Sequence, residues 1–270
     1  MIGHRGHVSH FPENSLEGFK SAVSLGVNAL EMDLVISADK QVVISHEPYM
    51  AAASVLTPQN KRISKSAEKS YDLYGMPYDS IRQYKTGLLK SRKFRNQMKV
   101  ETFKPLLAEV LEQVERHRKD QDLPQIDYFL EVKSNPSHYG IFQPYPREFA
   151  ELLMGVIKEH EIEKQVVIQS FDAEFLNAFN SRYPEIRTSV LVYRTPWREK
   201  LEQLNFKPDI IGPYFKQLNR IEQVEELHAQ GFEVIPWTVN SKGKIRKMLK
   251  LGVDGIISDY PERLLNIREQ

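Results

Sequence analysis

The chain of 270 residues contains no cysteine. Disulfides, thiolate metal sites and a cysteine nucleophile are therefore excluded, while the compartment stays undecided by this absence. Net charge is also nearly absent: 37 Lys/Arg stand against 36 Asp/Glu, for a formal +1. A global polyanion-binding surface is not implied, so no nucleic-acid partner is expected. No apolar run reaches the roughly 18–20 residues needed to cross a bilayer, so no transmembrane segment is expected. Tryptophan is scarce, with two in the chain. The oligomeric state is left open.

What the sequence does have is alternation. Short apolar runs read as strands at Met1–Arg5, Ala29–Val35, Asp127–Lys133, Gln165–Ser170, Thr188–Tyr193, Asp209–Pro213, Phe232–Val239 and Gly255–Asp259. Between them, helical periodicity runs over Leu16–Leu25, Leu106–Arg118, Arg147–His160, Ala173–Arg182, Trp197–Leu204, Ile221–Gln230, Lys242–Leu251 and Pro261–Arg268. Gly26, Gly231 and Gly252 follow three of these helices, where a helix stop belongs. Strand–helix alternation repeated eight times predicts an α/β protein, a closed (β/α)8 TIM barrel, and 270 residues suit a single domain spanning 1–270. No leader segment is recognisable, and the first strand begins earlier than usual, which also suits a trimmed or processed chain. The expected location is cytoplasmic, or periplasmic or secreted if a leader has been removed.

Active sites of such barrels lie at the carboxyl ends of the strands. Glu31 and Asp33, two apart on the second strand, point to one side. Two adjacent negative charges call for a hard divalent cation, Mg²⁺ or Ca²⁺. Glu131 and Lys133 repeat the spacing on the third strand, offering a third carboxylate and a cation; ion pairing between strands is the alternative. Arg5 supplies a bidentate fork for a phosphate oxygen. His4 and His46 flank the acids and can carry protons. Trp237 either walls one side of a small polyol or belongs to the core. His7 and His10 read as exposed loop histidines, and His117, His138, His160 and His228 as surface residues.

One region breaks the pattern. After the second strand a hairpin turning at Ser37–Lys40 returns as Gln41–Ser45 and delivers His46. The insertion that follows, about 48–104, reads as irregular and basic. From Lys61 to Lys104 there are 12 Lys/Arg against 4 Asp/Glu, an excess of eight positive charges. Such a segment either steers an anionic substrate toward the mouth or is a solvated surface.

His4-Arg5-Gly6, Pro12-Glu13-Asn14-Ser15, Glu31-Met32-Asp33 and Val42–His46 closely resemble the glycerophosphodiester phosphodiesterase family. Leu130–Lys133, Gln169-Ser170-Phe171, Trp237–Asn240 and Asp254–Pro261 resemble its later signatures in order. The resemblance implies hydrolysis of glycerophosphodiesters to sn-glycerol 3-phosphate and an alcohol. It implies Glu31, Asp33 and Glu131 as ligands of one divalent ion, Mg²⁺ or Ca²⁺, and His4 and His46 as the acid–base pair. Arg5 and Lys133 would hold the phosphate, Trp237 would flank the glycerol, and Glu13 and Asn14 would support the site from behind. The chain departs from the family in having Glu47 where aspartate is common and Ser258 where threonine is usual. Rival readings are a lysophospholipase D-type phosphodiesterase and a non-catalytic glycerol-phosphate-binding barrel.

Overall fold

A computed structural model describes residues 1–268. Its strands are β1 (Ile2–Gly3), β2 (Ala29–Ile36), β3 (Val42–Ile44), β4 (Val55–Leu56), β5 (Lys85–Thr86), β6 (Asp127–Val132), β7 (Val166–Ser170), β8 (Arg187–Val192), β9 (Ile210–Pro213), β10 (Glu233–Val234) and β11 (Ile257–Ser258). Its α-helices are α1 (Leu16–Ser24), α2 (Tyr78–Ile81), α3 (Leu107–Asp120), α4 (Pro146–Glu159), α5 (Ala173–Arg182), α6 (Trp197–Leu201), α7 (Ile221–Ala229), α8 (Lys242–Lys250) and α9 (Pro261–Arg268).

Eight strands lie side by side in the order β10-β9-β8-β7-β6-β2-β1-β11, every neighbouring pair parallel. The last seam is thin. Ile257 N–H donates to Pro236 O at 3.1 Å and Val239 N–H to Ile257 O at 2.9 Å, joining the segment after β10 to β11. The sequence pattern predicts a strand over Phe232–Val239, but the regular ladder stops at Val234. Proline is the reason. The N–H groups of Ile235 and Trp237 point to β9, so the missing donor of Pro236 falls on the β11 side. The fold is the expected (β/α)8 barrel.

Alternation along the strands sorts the side chains. On β2, Leu30, Met32 and Leu34 face the helices and join the large outer core with Phe19, Val110, Phe149 and Leu153. The opposite parity faces the axis. Ile2, Ala29, Phe129, Val167, Ile210, Ile235 and Ile257 fill the barrel's interior, with Trp237 packed above. One step further along the same strands, the inward positions turn polar: His4, Glu31, Glu131, Gln169 and Asp259. An apolar plug therefore sits beneath a polar mouth, which is what places the chemistry at the strand ends.

The first turn has demanding geometry. Gly6 has φ +83°, and a Cβ there would lie 2.8 Å from the backbone carbon of Gly18. Arg5 just before it also takes a left-handed conformation, φ +51°. The chain thus folds sharply back over α1, whose N-cap Ser15 accepts from Gly18 N–H at 3.1 Å.

The insertion is more structured than its sequence suggests. Instead of an irregular run, it carries a two-stranded antiparallel ribbon, β4 with β5, and the short α2. Met50, Val55, Ile63, Leu73, Tyr78 and Ile81 form a separate buried cluster against Val35 and Val43 of the hairpin. Its last stretch lies over the β1–α1 loop. Gln97 Nε2 donates to the carbonyls of Val8 and Phe11 at 2.8 and 2.7 Å, and Met98 N–H to His10 O at 2.7 Å.

Candidate active site

The acids come from adjacent strands in register. Asp33 of β2 is the Cα partner of Glu131 on β6, and Glu131 is the partner of Gln169 on β7. Glu31 lies one inward step below Asp33. All three carboxylates are buried, and one oxygen from each lies within 4.8 Å of the others. Asp33 Oδ1 makes no hydrogen bond, although it is sealed from solvent. A buried anion with a bare oxygen is costly unless a cation takes it up. The all-oxygen donor set fits a hard divalent ion.

Two side-chain cations stand against this cluster. Arg5 Nε lies 3.1 Å from Asp33 Oδ2, and its Nη1 donates to Glu13 Oε2 at 2.6 Å. Lys133 Nζ donates to Glu131 Oε1 at 2.6 Å and lies 3.5 Å from Asp33 Oδ1. Burial disfavours both charges, but the surrounding carboxylates outweigh it and hold both groups above their usual range. The same balance separates the acids. Burial and the neighbouring Asp33 and Glu131 push Glu31 up. Asp33 is buried too, yet Arg5 and Lys133 hold it well below the usual carboxylate range.

Asn14 completes the floor. Its Nδ2 donates to Asp33 Oδ2 at 2.7 Å, and its own N–H donates to Arg5 O at 3.1 Å. Glu13 reaches the same spot from the rim through Arg5. The Pro12–Ser15 segment therefore meets the acids because of the fold-back at Arg5 and Gly6.

Each histidine has a carboxylate behind it. His4 Nδ1 is 2.6 Å from Asp259 Oδ1, so its Nε2 faces inward, 3.9 Å from Glu31 Oε2. His46 Nδ1 is 2.9 Å from Glu47 Oε1. The longer Glu47 still reaches its neighbour's ring. Hydrogen bonding to His46 draws the Glu47 carboxyl down to about 2. Asp259 is likewise held low despite burial, by His4 and by Lys93 Nζ of the insertion at 2.7 Å. Behind His46, Lys104 Nζ donates to Ser45 Oγ at 2.7 Å.

Trp237 is half-buried at the opposite wall, its Nε1 donating to Gly212 O at 2.8 Å. It stands among Phe171, Tyr193 and Tyr214, at ring distances of 5.3, 5.9 and 5.5 Å. Beside the mouth opens a cavity of about 550 Å³, with Lys93, Lys216, Lys244 and Arg263 in its wall.

All ten residues singled out from the sequence thus line this mouth or its immediate support. Sequence reasoning gave no role to Asp259 or the three aromatic neighbours of Trp237, and it counted Lys93 and Lys104 only within the basic insertion that either steers an anionic substrate or is a solvated surface. Asp259 had a signal, being two residues past inward-facing Ile257. Tyr193 and Tyr214 each end or follow a strand, a repeated position that also pointed to the mouth. His7 is a correction: it is 5% exposed and packed under the β1–α1 loop, because Ser21 of α1 and Glu262 of α9 close over its ring.

Fold and mouth together define an enzyme of the barrel hydrolase class. The profile of the glycerophosphoryl diester phosphodiesterase family matches residues 4–263. The chain belongs to this family and is an enzyme that hydrolyses glycerophosphodiesters. It is 29% identical to a glycerophosphodiester phosphodiesterase of Caldanaerobacter subterraneus, over 99% of this chain and 96% of the relative. It superposes with TM-score 0.86 on a Silicibacter pomeroyi protein assigned as a glycerophosphoryl diester phosphodiesterase, at 30% identity, covering 98% and 91% of the two chains. An Oleispira antarctica phosphodiesterase, solved with its product sn-glycerol-3-phosphate, is similar in fold at TM-score 0.77 and 23% identity, covering 100% and 96%. No helix among the described residues is long and apolar enough to cross a membrane.

Proposed function

We propose that this single phosphodiesterase domain, with 48–104 as its insertion, cleaves glycerophosphodiesters to sn-glycerol 3-phosphate and an alcohol with the help of one divalent ion. The observation that carries the reading is the buried triad Glu31, Asp33 and Glu131, whose Asp33 Oδ1 makes no hydrogen bond, flanked by two carboxylate-backed histidines. The triad would hold Mg²⁺ or Ca²⁺, which supplies Lewis-acid polarisation of a phosphate oxygen when bound.

The charge balance supports a phosphodiester. With every group ionised, Glu31, Asp33 and Glu131 outweigh Arg5 and Lys133 by one negative charge, which repels an anion. A divalent ion held by the triad would offset that excess and allow a phosphodiester monoanion to approach. Arg5 and Lys133, which stand against the same carboxylates, would be placed to donate to phosphate oxygens. Trp237 and its aromatic neighbours offer an apolar wall for the glycerol carbons.

Asp259 engages Nδ1 of His4 and Glu47 engages Nδ1 of His46, which leaves Nε2 of each ring as the atom to exchange a proton. A carboxylate behind an imidazole fixes its tautomer and stabilises its charged form. One histidine takes the proton of the nucleophile and the other gives a proton to the departing alkoxide oxygen. The nucleophile is either water or the glycerol 2-hydroxyl; the second route passes through a cyclic phosphate. Replacing Glu31, Asp33 or Glu131 with the uncharged amide should remove both stoichiometric Mg²⁺ or Ca²⁺ binding and turnover of glycerophosphocholine. Near-normal turnover by any of the three variants in chelator would overturn the assignment.

A further inference from the structure

We propose that His7, His10 and Glu262 form a second metal site, of the zinc class, that clamps the β1–α1 loop to the start of α9. His7 lies in that loop and is 5% exposed. Its Nδ1 is engaged by Ser21 Oγ of α1 at 2.9 Å. That leaves Nε2, which is sealed from solvent and makes no hydrogen bond. Oε2 of Glu262, in the first turn of α9, is equally sealed and bare. The two atoms are 3.4 Å apart. This is long for a nitrogen–oxygen hydrogen bond, which runs about 2.7–3.2 Å. It is the edge, about 3.3–3.4 Å, of a tetrahedron drawn around an ion with bonds of about 2.0–2.1 Å.

His10 supplies the third corner. Its ring stacks beside His7 with centroids 4.3 Å apart. A nitrogen or oxygen from each of the three residues lies within 4.8 Å of the other two. Ser9 Oγ holds His10 Nδ1 at 2.9 Å, leaving Nε2 as its donor atom. Ser21 and Ser9 thus serve as the outer partners that fix which ring nitrogen faces the ion.

The donor chemistry separates this site from the carboxylate triad. Two imidazoles and one carboxylate suit Zn²⁺ or Co²⁺, whereas three carboxylates suit Mg²⁺ or Ca²⁺. The location gives the ion a task. Ser9 N–H donates to Asp259 O at 3.2 Å, and the Asp259 side chain holds His4. Glu262 follows three residues later. An ion joining His7, His10 and Glu262 would stiffen the segment that aims His4 without touching the reacting atoms.

The experiment is a Co²⁺ titration of chelator-stripped protein in excess Mg²⁺, which occupies the triad. One equivalent should bind with a visible tetrahedral absorption, be displaced by Zn²⁺, and raise Tm. His10→Ala, at a partly exposed ring, should abolish the absorption. Ser21→Ala should weaken Co²⁺ binding by about 10–100-fold. Glu131→Gln should leave it intact. Each variant is first required to unfold cooperatively, which separates loss of the site from loss of the fold. Unchanged Co²⁺ binding in His10→Ala, binding lost in Glu131→Gln instead, or no binding in excess Mg²⁺ would overturn the proposal. The last result would leave His7 and Glu262 as an ion pair alone.

Discussion

His4 and His46 illustrate how little of a candidate acid–base pair is the imidazole itself. Each ring has its Nδ1 engaged by a carboxylate, Asp259 or Glu47. His4→Ala and His46→Ala should each lower kcat by roughly 10²–10⁴-fold, with divalent-ion binding retained. On the proposed function, the double variant should lose far less than the product of the single losses, as expected of two groups serving one step. Loss of the ion in either single variant, measured by equilibrium dialysis, would make that histidine a ligand instead. Asp259 is a positioning residue, and its role can be read from stability as well as rate. Its folded pKa lies below its unfolded value, so its contribution is complete above the usual carboxylate range near pH 4 and is lost as pH falls through the depressed value. Asp259→Asn should therefore cost about 2 kcal/mol at neutral pH, and the gap to wild type should narrow progressively in denaturant titrations as pH drops below the usual carboxylate range. A gap that persists unchanged in acid would mean the aspartate acts by packing alone. The sequence displayed the acids and histidines because residue type and spacing of two sufficed to group them. It did not display the Asp259–His4 contact, because that pair is 255 positions apart and depends on barrel closure.

At the scale of elements, most of the barrel was legible because two periods alternate cleanly along the chain. The Leu30, Met32 and Leu34 parity against Glu31 and Asp33 already separates the helix-facing side from the axis. The seventh strand was misjudged in length because an apolar run conceals what Pro236 does to one side of a ladder. The insertion's cluster was illegible for another reason. Met50, Val55, Ile63 and Leu73 follow no period, and their partners Val35 and Val43 lie on the hairpin face opposite Leu34, Ile36, Val42 and Ile44, which carry the apparent signal. Gly87 holds the return of this insertion: with φ +78°, a Cβ there would fall 2.0 Å from Val100 O. Lys93 on Asp259, and Phe94 stacked edge-on to Tyr260 at 5.9 Å, bring the basic stretch to the mouth. The neighbouring Lys90, Arg92 and Arg95 should then attract anionic substrate over about 8–10 Å at physiological salt. Reversing these three charges should lower kcat/KM roughly tenfold at low ionic strength and leave kcat nearly unchanged. Added salt should erase the difference. Equal capture by the variant at low salt would reduce these residues to solubilising surface.

The whole molecule is nearly neutral, yet its charge is sorted: a basic insertion over an acidic, buried centre. That arrangement makes sense when a cation resides in the centre and an anion arrives from outside. The proposed function therefore turns on whether the triad's ion is required for turnover and on which ester bond breaks. The most direct test follows the phosphorus of glycerophosphocholine by NMR with the purified protein, before chelation, after chelation, and after Mg²⁺ or Ca²⁺ is returned. The account predicts that turnover stops on chelation, resumes with the ion, and yields glycerol 3-phosphate with free choline. Turnover that persists in chelator, or choline phosphate as the phosphorus product, would contradict it.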